Sequence, residues 1–294
     1  MLPDQIRPFL ARATERLREA GCETPELDAR LLLQAATGLT RETLILEPER
    51  RIGSDDLRRL ASFLERRARR EPVSRILGER EFYGRPFRVT EATLDPRPDT
   101  ETLIDAALAA MPEGARLLDL GTGTGAIAVT LLAERPDATG VATDLSPEAL
   151  DVARENAERA GVAKRLALLQ GSWFEPVSGV FDIIVSNPPY IPEGDIAGLS
   201  PDVRNFDPVL ALVGGADGLD PYRAISARAA RHLAAGGHVL VEIGAGQAED
   251  VEAIFAEAGL GIMQRHRDLG GHLRCLAFGP FRQDNAGLQA EAEK

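Results

Sequence analysis

Apolar positions near the start of the chain recur every three or four residues. Ile6, Phe9, Leu10, Ala13 and Leu17 predict a first helix that Gly21 ends. Thr24-Pro25-Glu26 predicts a second, with a capping threonine and proline at the first helical position, ahead of Leu27, Leu31 and Leu32. Ser54-Asp55-Asp56 opens a third through Leu57, Leu60 and Leu64. Arg66, Arg67, Arg69 and Arg70 crowd its end, where cations complement the helix dipole. Docking of a partner is the alternative reading of that cluster. Residues 81–94 alternate as a short hairpin with Gly84 near its turn, and residues 95–102 (DPRPDTET) lead into a helix containing Leu103, Ile104 and Leu108.

From about residue 115 short apolar runs alternate with amphipathic stretches. The runs predict strands at 116–120, 139–144, 167–170, 181–186, 238–243, 262–266 and 273–278, with helices at 126–133, 147–160, 221–235 and 247–258. Strands separated by helices of this length imply parallel βαβ units, hence an α/β protein with a doubly wound, mostly parallel seven-stranded sheet. The short link between the last two strands predicts an antiparallel hairpin at one edge. The expected organisation is a small helical domain at 1–75, a linker with the hairpin at 76–95, the sheet domain at 96–280 and a disordered tail at 281–294.

Composition narrows the class. The 294 residues are 44% hydrophobic and 27% charged, the balance of a globular chain with material for a core. The net charge of −12 argues against a dedicated nucleic-acid binder. That charge is unevenly placed. Residues 1–90 hold 18 arginines against 15 acids, a balance of +3, which leaves −15 on residues 91–294. Cys22 and Cys275 lie far apart, and His232, His238, His266 and His272 have no zinc-ligand spacing, so no metal is expected. No apolar run reaches the ~18 residues of a membrane span and no leader precedes the first helix, so a cytoplasmic protein is expected.

The chemistry concentrates in three places. LLDLGTGTGAIA (residues 117–128) sits where the first strand of the sheet turns into a helix. Gly121 suits the tight turn, Gly123 lets a ligand approach the backbone, and Gly125 or Ala126 lets the helix start close to the strand, with Thr122 and Thr124 between them. Asp144, about twenty residues on, ends the next strand, where a carboxylate can accept both hydroxyls of an adenosine ribose. Gly121-x-Gly123-x-x-Ala126 also satisfies the loose dinucleotide fingerprint, so an NAD-dependent oxidoreductase stays open on the glycines alone. Asp119, read as part of the turn and placed for an ammonium group, favours a cationic amino-acid-bearing ligand such as S-adenosylmethionine.

IIVSNPPYIPEG (residues 183–194) follows the fourth strand, so Asn187, Pro188, Pro189 and Tyr190 face the same crevice as the glycine loop. Two prolines fix the backbone and remove two donors. Asn187 offers its side-chain oxygen, Pro188 its backbone oxygen and Tyr190 a flat aromatic face, a set suited to a planar –NH2 group. An oxidoreductase gives this motif no role, and a non-catalytic ligand sensor leaves it unexplained.

DLGTGTG, Asp144, the Trp173-Phe174-Glu175-Pro176 stretch and NPPY together resemble the class I S-adenosylmethionine-dependent methyltransferases that modify planar nitrogens. With the helical N-terminal unit, REFYG (80–84) and PRPDTE (96–101), the resemblance narrows to the peptide chain release factor N5-glutamine methyltransferase (PrmC/HemK) family. It covers residues 5–280, approximately. It implies methylation of the glutamine in the Gly-Gly-Gln loop of bacterial class 1 release factors. It also implies that Asp119, residues 121–125, Asp144 and Asn187 hold the cofactor, that Trp173 lies beside the adenine, and that Asn187, Pro188, Pro189 and Tyr190 hold the glutamine amide. Ser172 stands where many relatives carry Asp for the adenine amino group. A monomer docking its protein substrate through the N-terminal helices is expected. A ribosomal-protein glutamine methyltransferase and an N6-adenine methyltransferase are the competing readings. Arg97, Glu101 and Glu242 are left unassigned, a surface or capping ion pair being the plainer reading of each.

Overall fold

The computed structural model describes residues 3–281, so the tail expected at 281–294 lies, beyond Phe281, outside the described residues. The chain divides into two compact units. The first is helical: α1 (Ile6–Glu19), α2 (Pro25–Thr37), α3 (Arg41–Leu46), α4 (Ser54–Ala68) and α5 (Val73–Leu77). Ile6, Phe9, Leu17, Leu32, Leu33, Leu60 and Leu64 of α1, α2 and α4 are fully buried in its core, whereas Leu27 and Leu31, which share the predicted spacing of α2, are exposed. The helix opened by Ser54 is the fourth rather than the third. α3 has only six residues, too few for a periodic pattern, and is fixed by Thr40, whose hydroxyl accepts from the Thr43 N–H.

The arginine cluster does more than complement a dipole. Arg67 is buried, and its guanidinium donates to Asp28 at 2.7 Å and to Asp202 at 2.8 Å. Arg70 donates to the other oxygen of Asp202 at 2.6 Å, and Arg66 pairs with Glu71. Asp202 lies in a strap, Leu199–Asp207, that packs with this helical unit and contains the single turn α9 (Pro201–Arg204). Asp207 closes the strap on Arg75 at 2.9 Å. Buried ionic groups need such partners, because an unpaired charge there would cost several kcal/mol, about 3–5.

The second unit carries the sheets. β1 (Glu79–Phe82) and β2 (Arg85–Arg88) form the hairpin, shorter than the expected 81–94. Its turn residues, Tyr83 and Gly84, both have positive φ, which suits the right-handed twist of the strands. Residues 89–94 leave the hairpin as loop. The large sheet contains β3 (Arg116–Leu120), β4 (Thr139–Asp144), β5 (Leu166–Gln170), β6 (Phe181–Ser186), β7 (Leu233–Glu242), β8 (Leu260–Arg267) and β9 (Leu273–Pro280). Their order is β5-β4-β3-β6-β7-β9-β8, with the first five parallel and β9 antiparallel to both neighbours.

Alternation along the strands feeds two cores. Leu117, Ile183, Val185 and Leu240 face α6 (Glu101–Ala110), α7 (Ala126–Glu134) and α8 (Pro147–Arg159). Leu118, Leu120, Ile184, Val239 and Val241 face α10 (Asp220–His232) and α11 (Ala248–Glu257). The helix expected at 221–235 stops at His232, because Leu233 already pairs with Phe181 of β6. Sheet pairing there overrides the helix preference of the alanines. Among the described residues no helix is long and apolar enough to cross a membrane.

Candidate active site

Strand order reverses between β3 and β6, and a cavity of about 660 Å³ opens at their carboxyl ends. This is where an open α/β sheet leaves room for a ligand. Gly121, Thr122, Gly123 and Thr124 line it, as do Asp144, Trp173, Asn187 and Pro189. Gly125, Asp119, Pro188 and Tyr190 do not.

The glycine loop is tied down by backbone bonds. The Gly121 and Thr122 N–H groups both donate to the Thr143 carbonyl at 2.9 Å. One Asp144 oxygen accepts from the Gly123 N–H at 2.8 Å and the other from the Ser146 N–H at 3.0 Å. A Cβ at Gly123 would meet nothing within 4 Å, so its backbone faces open space. Gly125 has a different reason from the one expected. A Cβ there would lie 3.2 Å from that of Ala153, so the missing side chain lets α7 start against α8 rather than against the strand.

Asp119 is not part of the turn. It sits on β3, fully buried, and its Oδ2 accepts from the Thr122 hydroxyl at 2.7 Å and the Ala128 N–H at 3.3 Å. Among the described residues its Oδ1 has no partner. Burial pushes its pKa up to about 7, against those two hydrogen bonds. Trp173 is held at φ +45°, a conformation rare for a bulky residue and seen where surrounding structure enforces it. Ser172 donates its backbone N–H to Glu175 at 3.3 Å.

At the end of β6, the Asn187 amide Nδ2 donates to the Thr100 hydroxyl at 3.1 Å. The Tyr190 carbonyl accepts from the Gln247 amide at 2.9 Å, and its ring packs on the core beside α10 and α11. Burial raises the Tyr190 pKa to about 12. Glu242 corrects the ion-pair reading given to it. At 2% exposure it is buried at the end of β7, and its Oε2 has no partner among the described residues. Burial pushes its pKa up to about 7, while hydrogen bonding from Thr100 and Asn187 and the charge of Arg274 hold it down. Arg274 itself pairs with Asp99 and Asp268. Glu101 accepts from the Tyr83 N–H at 2.9 Å, a structural bond, and Arg97 lines the cavity.

Two wall segments escaped the sequence reading. Ala92, Thr93, Leu94 and Pro96 form one, and Pro208, Leu210, Ala211, Val213 and Gly214 form the other. Both lack periodicity, the second holding only a short 3₁₀ turn at Val209–Ala211. The only signal in them is the glycine cluster of residues 214–218, whose first member leaves just enough room for the Pro189 carbonyl. Among the described residues no group of three or more His, Cys, Asp or Glu is arranged to hold a metal ion.

The two raised carboxyls set a pH dependence. A carboxyl whose folded pKa exceeds its unfolded value binds more protons in the native state, so stability falls as pH rises through about 7. His266, lowered by burial, works in the opposite direction. Between pH 5 and 8 each carboxyl withdraws about 2–3 kcal/mol, and the ligand-free protein should melt at a lower temperature at pH 8 than at pH 5. Asp119→Asn should remove about half of that slope in a thermal-melt series. An unchanged slope would assign the dependence to other groups.

Residues 9–78 match the PrmC N-terminal domain family and residues 95–198 the methyltransferase small domain family. The chain is 48% identical over 275 residues to the release factor glutamine methyltransferase of Agrobacterium fabrum, covering 92% of this chain and 95% of that one. It is 50% identical over 268 residues to the protein of the same name from Cereibacter sphaeroides, covering 91% and 96%. Among solved structures, a methyltransferase from Pyrococcus furiosus superposes with a TM-score of 0.51 at 20% identity, covering 67% of this chain and 89% of that one. The hMettl16 catalytic domain, solved with an RNA hairpin, gives 0.55 at 15% identity, covering 78% and 81%. At such identities these structures share the fold.

Proposed function

This chain belongs to the release factor glutamine methyltransferase family, and from that membership we propose that it transfers a methyl group from S-adenosylmethionine to the side-chain amide nitrogen of the glutamine in the Gly-Gly-Gln loop of a peptide chain release factor. The observation that carries this reading is the meeting of two loops in one cavity. The glycine loop after β3 and the Asn-Pro-Pro-Tyr loop after β6 both open into it.

The residues fit the cofactor. Each Asp144 oxygen accepts one backbone N–H and keeps a second lone pair, enough to receive the two ribose hydroxyls. Gly123 offers an open backbone, Trp173 a ring wall, and the buried Asp119 holds Thr122 in place from behind. S-adenosylmethionine, when bound, supplies a methyl group already activated on a sulfonium. The remaining task is to hold an amide nitrogen in line with it. Asn187, which lines the cavity where Pro188 does not, offers its Oδ1 to an amide hydrogen, and that favours the positive charge that grows on nitrogen until its proton is lost. Such orientation can lower a barrier by roughly 7–11 kcal/mol at best. Neither Asp119 nor Glu242 lines the cavity, so the reading assigns neither as a general base.

Asp144→Ala removes the ribose acceptors, the anchor of Gly123 in the glycine loop and the bond to Ser146. Cofactor affinity measured by calorimetry should fall about 10–100-fold, the weight of one to two hydrogen bonds to a charged group. An unchanged Kd would remove Asp144 from the site. We assign the helical unit to docking the protein substrate in the cytoplasm, with the enzyme acting as a monomer and without nucleic acid. A labelled-methyl transfer assay offering release factor, ribosomal protein and DNA side by side tests the proposal. Label on the release factor is the expected outcome, and label on DNA alone contradicts it.

A further inference from the structure

Asn187 can receive an amide hydrogen only if its Oδ1, not its Nδ2, faces the cavity. The two ends of a carboxamide have the same shape, so packing alone does not choose between them; the hydrogen-bond partners behind it do. Thr100 lies in the turn before α6, buried at the cavity wall, and its Oγ1 accepts from Asn187 Nδ2 at 3.1 Å. A hydroxyl is ambiguous, because it could equally donate to Oδ1 and turn the amide round. Glu242, when ionised, removes the ambiguity. Ser186 and Val241 are register partners on neighbouring parallel strands, so Asn187 and Glu242 follow them side by side at the carboxyl end of the sheet. Hydrogen bonding from Thr100 and Asn187 favours the ionised form of Glu242, a form that only accepts.

We infer that Glu242 and Thr100 are positioning residues that fix the Asn187 carboxamide with its oxygen facing the acceptor pocket. With the carboxylate taking the Thr100 hydrogen or the second Nδ2 hydrogen, Asn187 Nδ2 is committed to the protein side. Glu242 is buried, has an Oε2 without a partner among the described residues and lies outside the cavity wall, so it acts through Asn187 rather than on substrate. Keeping a carboxylate in this place is costly, and an apolar residue would serve the fold at least as well. The inference rests on the proposed function, because it presumes an acceptor amide at Asn187.

The test compares E242Q, T100V and T100S with the wild-type chain, using a release factor as acceptor. Glutamine at 242 can donate to Thr100 and permit the reversed amide, and valine at 100 removes the hydroxyl with little change of shape. Both should lower kcat about 10–100-fold, the cost of a misplaced acceptor group, while the KM for S-adenosylmethionine stays within about twofold. T100S keeps the hydroxyl and should recover kcat to within about threefold of wild type. Wild-type kcat in both E242Q and T100V, equal impairment in T100S and T100V, or a loss confined to cofactor KM would each overturn the inference. Melting temperatures are recorded for every variant; if E242Q does not fold, the valine–serine pair decides alone. A wild-type chain that methylates no glutamine acceptor defeats the proposed function, and the inference with it.

Discussion

Asn187→Ala should bind cofactor normally and transfer methyl groups about 10²–10³-fold more slowly, the loss seen when one preorganised hydrogen-bonding group is removed at a developing charge. The side chain is small, its backbone is set by the two prolines that follow, and its Nδ2 bond to Thr100 is internal to the site. Truncation therefore leaves the glycine loop and Asp144 untouched while deleting one acceptor for the substrate amide. The expected signature is a fall in kcat with an unchanged calorimetric Kd for S-adenosylmethionine. Full activity in this variant would remove Asn187 from the reaction.

Gly218→Ala should produce a loss of similar size from a residue that touches no ligand. Gly218 has φ +79°, where a residue with a Cβ pays about 1–2 kcal/mol. That Cβ would also lie 2.4 Å from the Tyr190 carbonyl oxygen and 2.8 Å from Gln247 Nε2, the two atoms joined by the bond that pins the end of the acceptor loop. Something must shift, and the backbone of the Asn-Pro-Pro-Tyr loop is part of what moves. A displacement of about 1 Å is enough to cost 10² in rate, so kcat should fall about 100-fold. Cofactor affinity, set by the loop after β3, should stay within a few-fold. Equal loss of cofactor affinity would mean that the variant disturbs the whole cavity rather than the acceptor loop.

Much of this arrangement is legible in the chain itself. β3, β4 and β6 fall where their apolar runs predict, because buried parallel strands leave little choice of register or face. The glycine loop and Asn187 then follow from the rule that ligands sit at the carboxyl ends of such strands. What escapes has no periodic signature. The cavity walls at 92–97 and 208–215 are loops, and the strap between the acceptor loop and the second of them is held by Asp202 pairing with Arg67 and Arg70, 132–135 residues away in sequence. No local pattern encodes a bond of that span. Asp119 reads as part of the turn although the predicted strand at 116–120 contains it, and that strand buries it instead of presenting it. Glu242 was the readable miss. It ends the apolar run His238–Glu242, on the strand beside the one that presents Asn187, and a lone acid in that place deserves the same reading as Asn187.

The central claim is that one glutamine side chain is the acceptor. It is tested most directly by incubating the enzyme and S-adenosylmethionine with two forms of a release factor, one intact and one with the glutamine of the Gly-Gly-Gln loop replaced by alanine, and locating the added methyl group by peptide mass spectrometry. The account predicts a single methyl group on that glutamine in the intact factor and none in the replaced one. Methylation at any other residue, or equal labelling of both forms, would contradict it.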